Sequence, residues 1–199
     1  ERERVWKPEE APRPFPVLFS LVDGGNMALR KIVLYPDPLL AKPCEPVEDI
    51  TDEIRELASD MLETMYDAPG VGLAAPQVGI LKQIVVYDPS DKEEEKHPVV
   101  LINPEVTLTG ETIVSEREGC LSVPLGYRAD VKRSSSIHLK YTDLDGVVHE
   151  RDIEGFEAVI VQHETDHLKG VLFIDKIGHL RRSLYDTKVK KWLKRKQEA

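Results

Sequence analysis

Two histidines four residues apart, with a glutamate directly after the first, carry the clearest chemical signal in this sequence. They lie in the segment QHETDHLKG at 162–170. Residues four apart share one face of a helix, so both imidazoles of His163 and His167 can reach one metal ion. Glu164 points to the same side and can exchange protons with a water on that metal. The segment therefore predicts a hydrolytic metal site.

A catalytic site of this type needs a third protein ligand and an open position for water. In metzincin proteases that ligand is a histidine three residues after the glycine of the motif, and Phe173 holds that position here. A thermolysin-type site takes a downstream glutamate, for which Glu198 near the chain end is a poor candidate. Cys120, in the segment EGCLS at 118–122, offers a thiolate with a glycine before it that permits close approach. Cys120 is the expected third ligand, although a lone cysteine is more often a small buried side chain.

A segment of small residues, GVGLAAPQVG at 70–79, forms a second candidate region. It lacks the Lys-Ser/Thr pair of a P-loop, which disfavours nucleotide binding. Its glycines and alanines let a ligand backbone come close, and Gln77 is its only polar side chain. A tight turn with one solvated glutamine is the equally weighted alternative for this segment alone.

Hydrophobic periodicity predicts the elements that must position these residues. Apolar residues at helical spacing predict a helix from Thr51 to about Tyr66. From Phe156 the period changes to about 3.6, which predicts the helix of the two histidines, and Gly170 ends it. Strands are expected at 32–35, 83–88, 99–103, 105–109, 112–115, 131–143 and 147–153, with hairpins joining 105–109 to 112–115 and 131–143 to 147–153. Strands followed by helices indicate an α+β fold.

Length and composition bound the class of protein. A chain of 199 residues, 41% hydrophobic and 32% charged, suits one globular domain with some tail. No apolar run approaches the ~20 residues of a membrane helix, and the first residues lack the features of a signal or transit peptide. We therefore expect a cytoplasmic protein with no membrane or DNA partner. The proline-rich residues 1–26 are expected to form a flexible or peripheral extension of a single catalytic domain at 27–199.

Charge is unevenly distributed along the chain. The net charge is −9, yet a predicted C-terminal helix at 180–196 holds eight lysines and arginines against one aspartate, a net charge of +7. A basic tail on an acidic body can steer a protein to an anionic partner. A solvated helix face is the equally weighted alternative.

Three segments together resemble the signature motifs of the peptide deformylase family. They are GVGLAAPQ at 70–77, EGCLS at 118–122 and QHETDHLKG at 162–170, in the family's order. The similarity extends from about Met27 to the C-terminal helix. It implies an α+β fold in which a central HExxH helix is packed by antiparallel or mixed sheets, with an N-terminal and a C-terminal helix. It also implies removal of the N-formyl group from the formyl-methionine of new polypeptides, with release of formate.

The resemblance implies a role for each residue singled out above. The ligands of one divalent metal ion per chain, natively Fe²⁺, would be Cys120, His163 and His167. Zn²⁺, Ni²⁺ or Co²⁺ could bind as well, since nitrogen and sulfur ligands accept several metals. Glu164 would take a proton from the attacking water and return it to the leaving amine. The backbone N–H of Leu121 and the side-chain amide of Gln77 would stabilise the oxyanion.

Substrate contacts are expected from several parts of the chain. The full set is Gly70, Val71, Gly72, Arg128, Phe156, Val159 and Ile160. The last three share one apolar helix face, which suits a methionine side chain but also an ordinary core. The first three match the segment along which the family's peptide lies as an added strand. Behind the metal, Glu118 resembles the family's acid that pairs with an arginine, here Arg133.

The expected partners are N-formylmethionyl nascent peptides and, through the basic C-terminal helix, the ribosome, on which bacterial deformylases of this type dock. Two alternatives remain open. A zincin-type metallopeptidase is disfavoured by Phe173. A non-catalytic, metal-bearing protein associated with the ribosome would need four ligands and would have no use for Glu164 or Gln77.

Overall fold

The computed structural model describes residues 28–90 and 95–198, so the predicted extension at 1–26 lies outside the described residues. In these ranges, 3₁₀ turns occur at Pro38–Ala41, Ala75–Val78 and Phe173–Asp175. The helices and strands, in chain order, are α1 (Asp52–Asp67), β1 (Gly72–Ala74), β2 (Ile84–Tyr87), β3 (Val99–Leu108), β4 (Thr112–Glu118), β5 (Ala129–Ser134), β6 (Ser136–Thr142), β7 (Val148–Glu154), α2 (Gly155–Leu168) and α3 (His179–Gln197). The predicted α+β class is confirmed.

The strands form two antiparallel sheets. The larger sheet has the order β1-β2-β3-β6-β7, and β4 pairs with β5 in the smaller one. The predicted hairpin of β6 and β7 is confirmed, with Ser136 opposite Glu154 at one end. β1 lies at an edge of the larger sheet, with Gly72 opposite Tyr87 of β2. Within the described part of the chain no other strand pairs with β1, so its outer backbone edge is open.

The predicted hairpin between 105–109 and 112–115 is wrong. Residues 99–108 form one strand that pairs with β2 and β6, whereas β4 pairs with β5. The chain changes sheets at Gly110, whose N–H donates to the Ser134 hydroxyl and to the Ser136 carbonyl, both at 3.1 Å. A Cβ at this glycine would lie 2.5 Å from the Ser136 backbone nitrogen. A glycine is therefore required at this position by the close backbone contact, and not by a hairpin turn.

Two further strand predictions are also corrected. The predicted strand at 131–143 is divided at Ser135, and its halves belong to different sheets. The predicted strand at 32–35 is extended chain outside both sheets. It is held instead by two separate bonds of 2.8 Å, from Val33 N–H to the Gln77 carbonyl and from Tyr35 N–H to the Ser122 carbonyl. Apolar alternation cannot separate such a segment from a true strand.

Helix α2 lies at the centre of the core, since every residue at 158–165 is buried. α1, predicted from its periodicity and confirmed here, packs on the sheet with Leu57, Met61 and Met65. α3 packs through Tyr185 and Val189 in a separate cluster that includes Leu172, Phe173 and Ile174. None of the helices in the described ranges is long and apolar enough to cross a membrane.

Candidate active site

Helix α2 places His163 and His167 one turn apart, with ring centroids separated by 5.3 Å. Cys120, in the turn after β4, brings its Sγ to 3.3 Å from His167 Nε2. One ligand atom from each of these three residues lies within 4.8 Å of the other two. The three residues predicted as metal ligands are therefore brought together from segments 43 or more residues apart.

The chemistry of this cluster fits a divalent transition metal. Two imidazoles and one thiolate are a donor set that such metals accept, and three protein ligands leave a position open for water. His163 Nδ1–H donates to Glu118 Oε2 at 3.0 Å, which leaves Nε2 of His163 available as a ligand. Glu164 Oε2 is buried without a hydrogen-bond partner among the described residues. A buried carboxylate oxygen of this kind needs a polar ligand, and a water held at the cluster would provide it.

A chain of ion pairs lies behind the cluster. Arg133 donates to both carboxylate oxygens of Glu118, from Nε and Nη2, at 2.9 Å each. Its Nη1 donates to Asp166 at 2.5 Å, and Lys176 pairs with the same aspartate at 2.9 Å. Arg133 and Glu118 are both buried. Such a bidentate pair fixes the carboxylate that orients the His163 ring.

These contacts shift the pKa values of the site in opposite directions. Burial raises the pKa of Glu118, but the hydrogen bonds from Arg133 and His163 outweigh burial and lower that pKa to about 2. Burial raises the pKa of Glu164 to about 7, although the nearby His163 and Arg133 charges act against it. Glu118 is therefore a fixed anion, whereas Glu164 is a carboxyl group able to take and give a proton near neutral pH.

Gln77 is held in one orientation. It is 1% exposed, so the alternative of a solvated glutamine is wrong. Its Oε1 accepts the Ala74 N–H at 2.8 Å, which assigns the other end of the amide as the donor. That Nε2 donates to Ser122 Oγ at 3.1 Å and to Cys120 Sγ at 3.4 Å. The amide nitrogen of Gln77 therefore lies beside the metal-ligand cluster, with one contact to Cys120 and one to Ser122.

The edge strand β1 borders the same cluster. A Cβ at Gly72 would lie 2.5 Å from Glu164 Oε1, so this glycine leaves the space that the carboxylate fills. Gly70 lies against Leu121, whose Cδ1 would be 2.9 Å from a Cβ there. Val71 between them is 41% exposed. The open edge of β1 therefore runs past Glu164 with an accessible side chain beside it.

The three residues of the predicted apolar face of α2 differ in their exposure and in what they contact. Phe156 is 63% exposed at the start of the helix, whereas Val159 is buried. Ile160 packs in the core with residues of the larger sheet, as the core alternative predicts. Arg128 is exposed, packs against Gly119 and donates to the Arg117 carbonyl at 3.3 Å.

Three polar residues near the site escaped the sequence analysis. Ser122 accepts from Gln77, and Asp166 accepts from Arg133, as described above. Gln162 joins α2 to β5, because its amide accepts from Ser134 N–H and donates to the Ser134 carbonyl, both at 2.9 Å. All three occur inside the recognised motifs. Each is a polar residue at a position that faces the core, and this could have identified it in the sequence.

Known proteins resemble this chain along most of its length. The polypeptide deformylase family model matches residues 29–183. A peptide deformylase of Afipia carboxidovorans is 49% identical over 168 residues, which cover 84% of this chain and 96% of that protein. The crystal structure of a peptide deformylase from Legionella pneumophila has a TM-score of 0.77 at 39% identity and covers 86% of this chain and 99% of its own. The Met-Ala-Ser-bound structure of a class I type b peptide deformylase from Acinetobacter baumannii has a TM-score of 0.71 at 35% identity, covering 76% and 99%.

These matches leave the metallopeptidase and non-catalytic alternatives without support. Deformylases are metal-dependent hydrolases of protein biosynthesis, and a Cys-His-His group that could hold a metal is present here. The predicted enzyme class and reaction, removal of the N-formyl group from nascent peptides, are confirmed. From its sequence, its fold and the matching family model, the chain belongs to the peptide deformylase family.

Proposed function

We propose that Cys120, His163 and His167 hold one Fe²⁺ ion in the cell, and that Zn²⁺, Ni²⁺ or Co²⁺ can replace it. A thiolate and two neutral imidazoles suit each of these ions, so availability contributes to the choice as much as affinity. The pairing of Glu118 with Arg133 supports the proposal, because it keeps an anion behind His163 and raises the basicity of that ligand.

Glu164 is the proton carrier of the proposed mechanism. A divalent metal at the cluster supplies a Lewis acid that lowers the pKa of water and polarises a carbonyl. Glu164 accepts the proton of the water that attacks the formyl carbon, and then gives it to the leaving amine. The observation that carries this role is its buried Oε2, which has no hydrogen-bond partner in the part of the chain that the structure describes. Its pKa of about 7 suits both directions of transfer.

Gln77 and Leu121 are the proposed donors to the developing oxyanion. The Gln77 amide nitrogen faces Cys120 of the cluster, because Ala74 holds the other end of the amide. Leu121 follows Cys120 directly, which brings its backbone N–H near the same point. Removing one donor of this kind typically lowers kcat by about 10²–10³-fold.

The proposed substrate is the formyl-methionine end of a nascent peptide, bound along the open edge of β1. Gly72 would pair with the peptide backbone beside Glu164, with Gly70 and Val71 next to it. The Met-Ala-Ser ligand of the Acinetobacter relative supports a peptide that begins with methionine. The further contacts proposed for the methionine side chain and the flanking backbone are Val159, Ile160, Phe156 and Arg128.

The test measures formate released from formyl-Met-Ala-Ser by protein purified without oxygen, together with its metal content. Glu164→Gln should retain the metal and lose about 10³-fold or more in kcat, because the proton carrier is gone. Glu116→Gln, an exposed change nearby in the chain, should behave like wild type. Full activity in Glu164→Gln would refute the mechanism. Hydrolysis of a peptide bond in unformylated Met-Ala-Ser, followed by the new amine it exposes, at the rate of formate release from the formylated peptide would refute the substrate.

The basic helix α3 is proposed to contact the ribosome in the cytoplasm, where nascent chains carry the substrate. Its charge supports this, since eight of its residues are Lys or Arg. We expect a triple variant to co-sediment less with ribosomes and to show a smaller dependence of binding on salt. Its changes are Lys188→Gln, Lys191→Gln and Arg195→Gln. The same number of changes at the exposed Lys31, Lys42 and Lys132 is the control. Equal binding by both triple variants would exclude the contact.

Residues 27–199 are proposed to be a single catalytic domain, with 1–26 as a peripheral extension. The family model begins at residue 29, which supports this boundary. A chain that begins at Met27 should release formate at the rate of the full chain. A large loss of kcat would assign a catalytic contribution to the extension.

A further inference from the structure

Tyr87 connects the strand that pairs with β1 to helix α2. It is fully buried at the end of β2, and its backbone lies opposite Gly72 of the edge strand β1. Its hydroxyl donates to Glu157 Oε1 at 2.8 Å, in the first turn of α2. Directly opposite residues of an antiparallel pair point to the same sheet face. The Tyr87 ring and the bare Cα of Gly72 therefore both face helix α2.

Helix α2 meets this pair of strands at two points. Glu157 contacts Tyr87, and Glu164 fills the space above Gly72, where a Cβ would come within 2.5 Å of its Oε1. Glu157 and Glu164 are seven residues apart, so they lie on one face of the helix, two turns from each other. A shift of α2 at Glu157 would therefore alter the gap between Glu164 and the edge of β1.

Glu157 is held from two strands. Besides the Tyr87 hydroxyl it pairs with Arg151 of β7, and it is the only acidic residue in the first turn of α2. No side chain caps the start of that helix by a hydrogen bond. Among the described residues, the side-chain bonds that connect this end of α2 to the sheet are therefore those of Glu157 with Tyr87 and Arg151.

We propose that Tyr87 is a positioning residue for Glu164. Its hydroxyl bonds to Glu157 and so fixes the position of α2 along β1 and β2. The Glu164 carboxylate is thereby kept in the space beside Gly72. The inference rests on the proposed role of Glu164 as proton carrier. It assigns a part in the reaction to a tyrosine that contacts neither the metal-ligand cluster nor the open edge of β1.

The test is a double-mutant cycle in kcat for formyl-Met-Ala-Ser. Tyr87→Phe keeps the buried ring and removes only the hydroxyl. In the wild-type background it should lower kcat about tenfold, with KM and metal content within twofold, since small misplacement of a reacting group slows the chemical step. In the Glu164→Gln background the same change should cost less than twofold. A general loss of structure would reduce both backgrounds equally, and that result would overturn the proposal.

Controls separate this proposal from the proposed function. Tyr35→Phe removes a hydroxyl that also donates to a carboxylate, at 2.8 Å to Asp186 and not to Glu157, and should leave kcat unchanged. Full activity of Glu164→Gln would refute the proton carrier itself, whereas an inactive Glu164→Gln with unchanged Tyr87→Phe would refute only the positioning role. If Tyr87→Phe does not fold, Glu157→Gln replaces it in the double-mutant cycle. This change keeps the shape of the side chain and weakens its contacts with Tyr87 and Arg151. Equal losses in both backgrounds would again overturn the inference.

Discussion

The Glu164 carboxylate occupies the space that a side chain at Gly72 of β1 would fill. Gly72→Ala would place a Cβ 2.5 Å from Glu164 Oε1, so the carboxylate must move. Cδ and Cγ of Glu164 would lie 2.8 Å from the same Cβ, so most of the side chain must turn. We expect kcat to fall by about 10²-fold, because a misplaced reacting group slows the chemical step. Gly178→Ala is the matched control, since nothing lies within 4 Å of a Cβ there. Unchanged formate release by Gly72→Ala would show that Glu164 tolerates the shift.

Glu118 has an equally specific place behind His163. Glu118→Gln removes the anion that accepts from His163 and from Arg133. We expect the metal to dissociate about 10–100-fold more readily, because the orientation and basicity of the ligand are weakened. Competition with a chelator measures this. Glu116→Gln removes an exposed carboxylate from the same strand, and equal metal retention in both variants would contradict the role of Glu118.

Single residues were predictable where spacing along a helix decides geometry. His163 and His167 follow from such spacing alone, and Cys120 follows from the need for a third ligand. The orientation of Gln77 was not predictable, since it depends on Ala74 and Ser122, which meet only in the folded chain. The link from Arg133 to Asp166 was missed for the same reason: 33 residues separate the partners.

At the scale of elements, the end of α2 depends on a close approach. Gly170 has a φ of 71°, and a Cβ there would lie 2.5 Å from the Ala41 carbonyl oxygen. We expect Gly170→Ala to lower the free energy of unfolding by ~3 kcal/mol or more, from the left-handed backbone and the clash together. Gly146→Ala, with a φ of 82° and open space, should cost only ~1 kcal/mol. Equal losses in urea denaturation would show that the contact with Ala41 is unimportant.

The β6–β7 turn supplies a prediction about pH. Burial raises the pKa of Asp143, but hydrogen bonds from His149 and from the Val147 and Asp145 N–H groups lower it below its ordinary value of 3.8. The carboxylate therefore stabilises the fold above that pH, and the contribution is lost as pH falls through the lowered pKa.

Asp143→Asn should accordingly unfold more easily than wild type at pH 7, and the difference should shrink below about pH 4. The exposed neighbour Asp145 provides the control, since Asp145→Asn removes a carboxylate of the same turn and leaves the bonds to the Asp143 carboxylate in place. Urea denaturation of the three proteins at pH 7 and pH 3 gives the comparison. A gap that widens in acid would have the wrong sign for this assignment.

The elements themselves were predictable unevenly. The helices α1, α2 and α3 emerged within a residue or two of their observed ends, because each carries a long periodic pattern or a clear stop signal. The strand partners of β4 were not predictable from local alternation. Gly110 and Ser135 lie where the chain passes between sheets, and both resemble ordinary turn or strand residues in sequence.

At the scale of the whole molecule, the basic helix α3 is part of the fold as well as a charged surface. Tyr185 and Val189 are buried in the cluster that contains Phe173, and the Phe173 ring lies 6.0 Å from the His163 ring. Arg182 also pairs with Asp175 and Asp186. Tyr185 stacks on Tyr127 and Tyr127 stacks on Phe173, so a row of packed rings joins the helix to His163.

Removal of α3 should therefore destabilise the site. A chain ending at Gly178 would expose the apolar side chains beneath the helix, worth several kcal/mol at ~25 cal/mol per Å². We expect a fall in Tm of about 10 °C or more, together with weaker metal retention. The triple variant at Lys188, Lys191 and Arg195 keeps the buried face and should melt like wild type. A truncated chain of wild-type stability would show that α3 is an appendage.

The fixed amide of Gln77 has a consequence for the thermodynamics of the reaction. Ala74, Ser122 and Cys120 hold the group in one direction, and it is almost fully shielded from water. In its proposed role as an oxyanion donor, the amide would therefore be aligned before a substrate arrives and would need no reorientation at the barrier. The ordering of this donor takes place during folding. The entropy that a mobile amide would lose in every turnover is lost here once, when the chain adopts its structure.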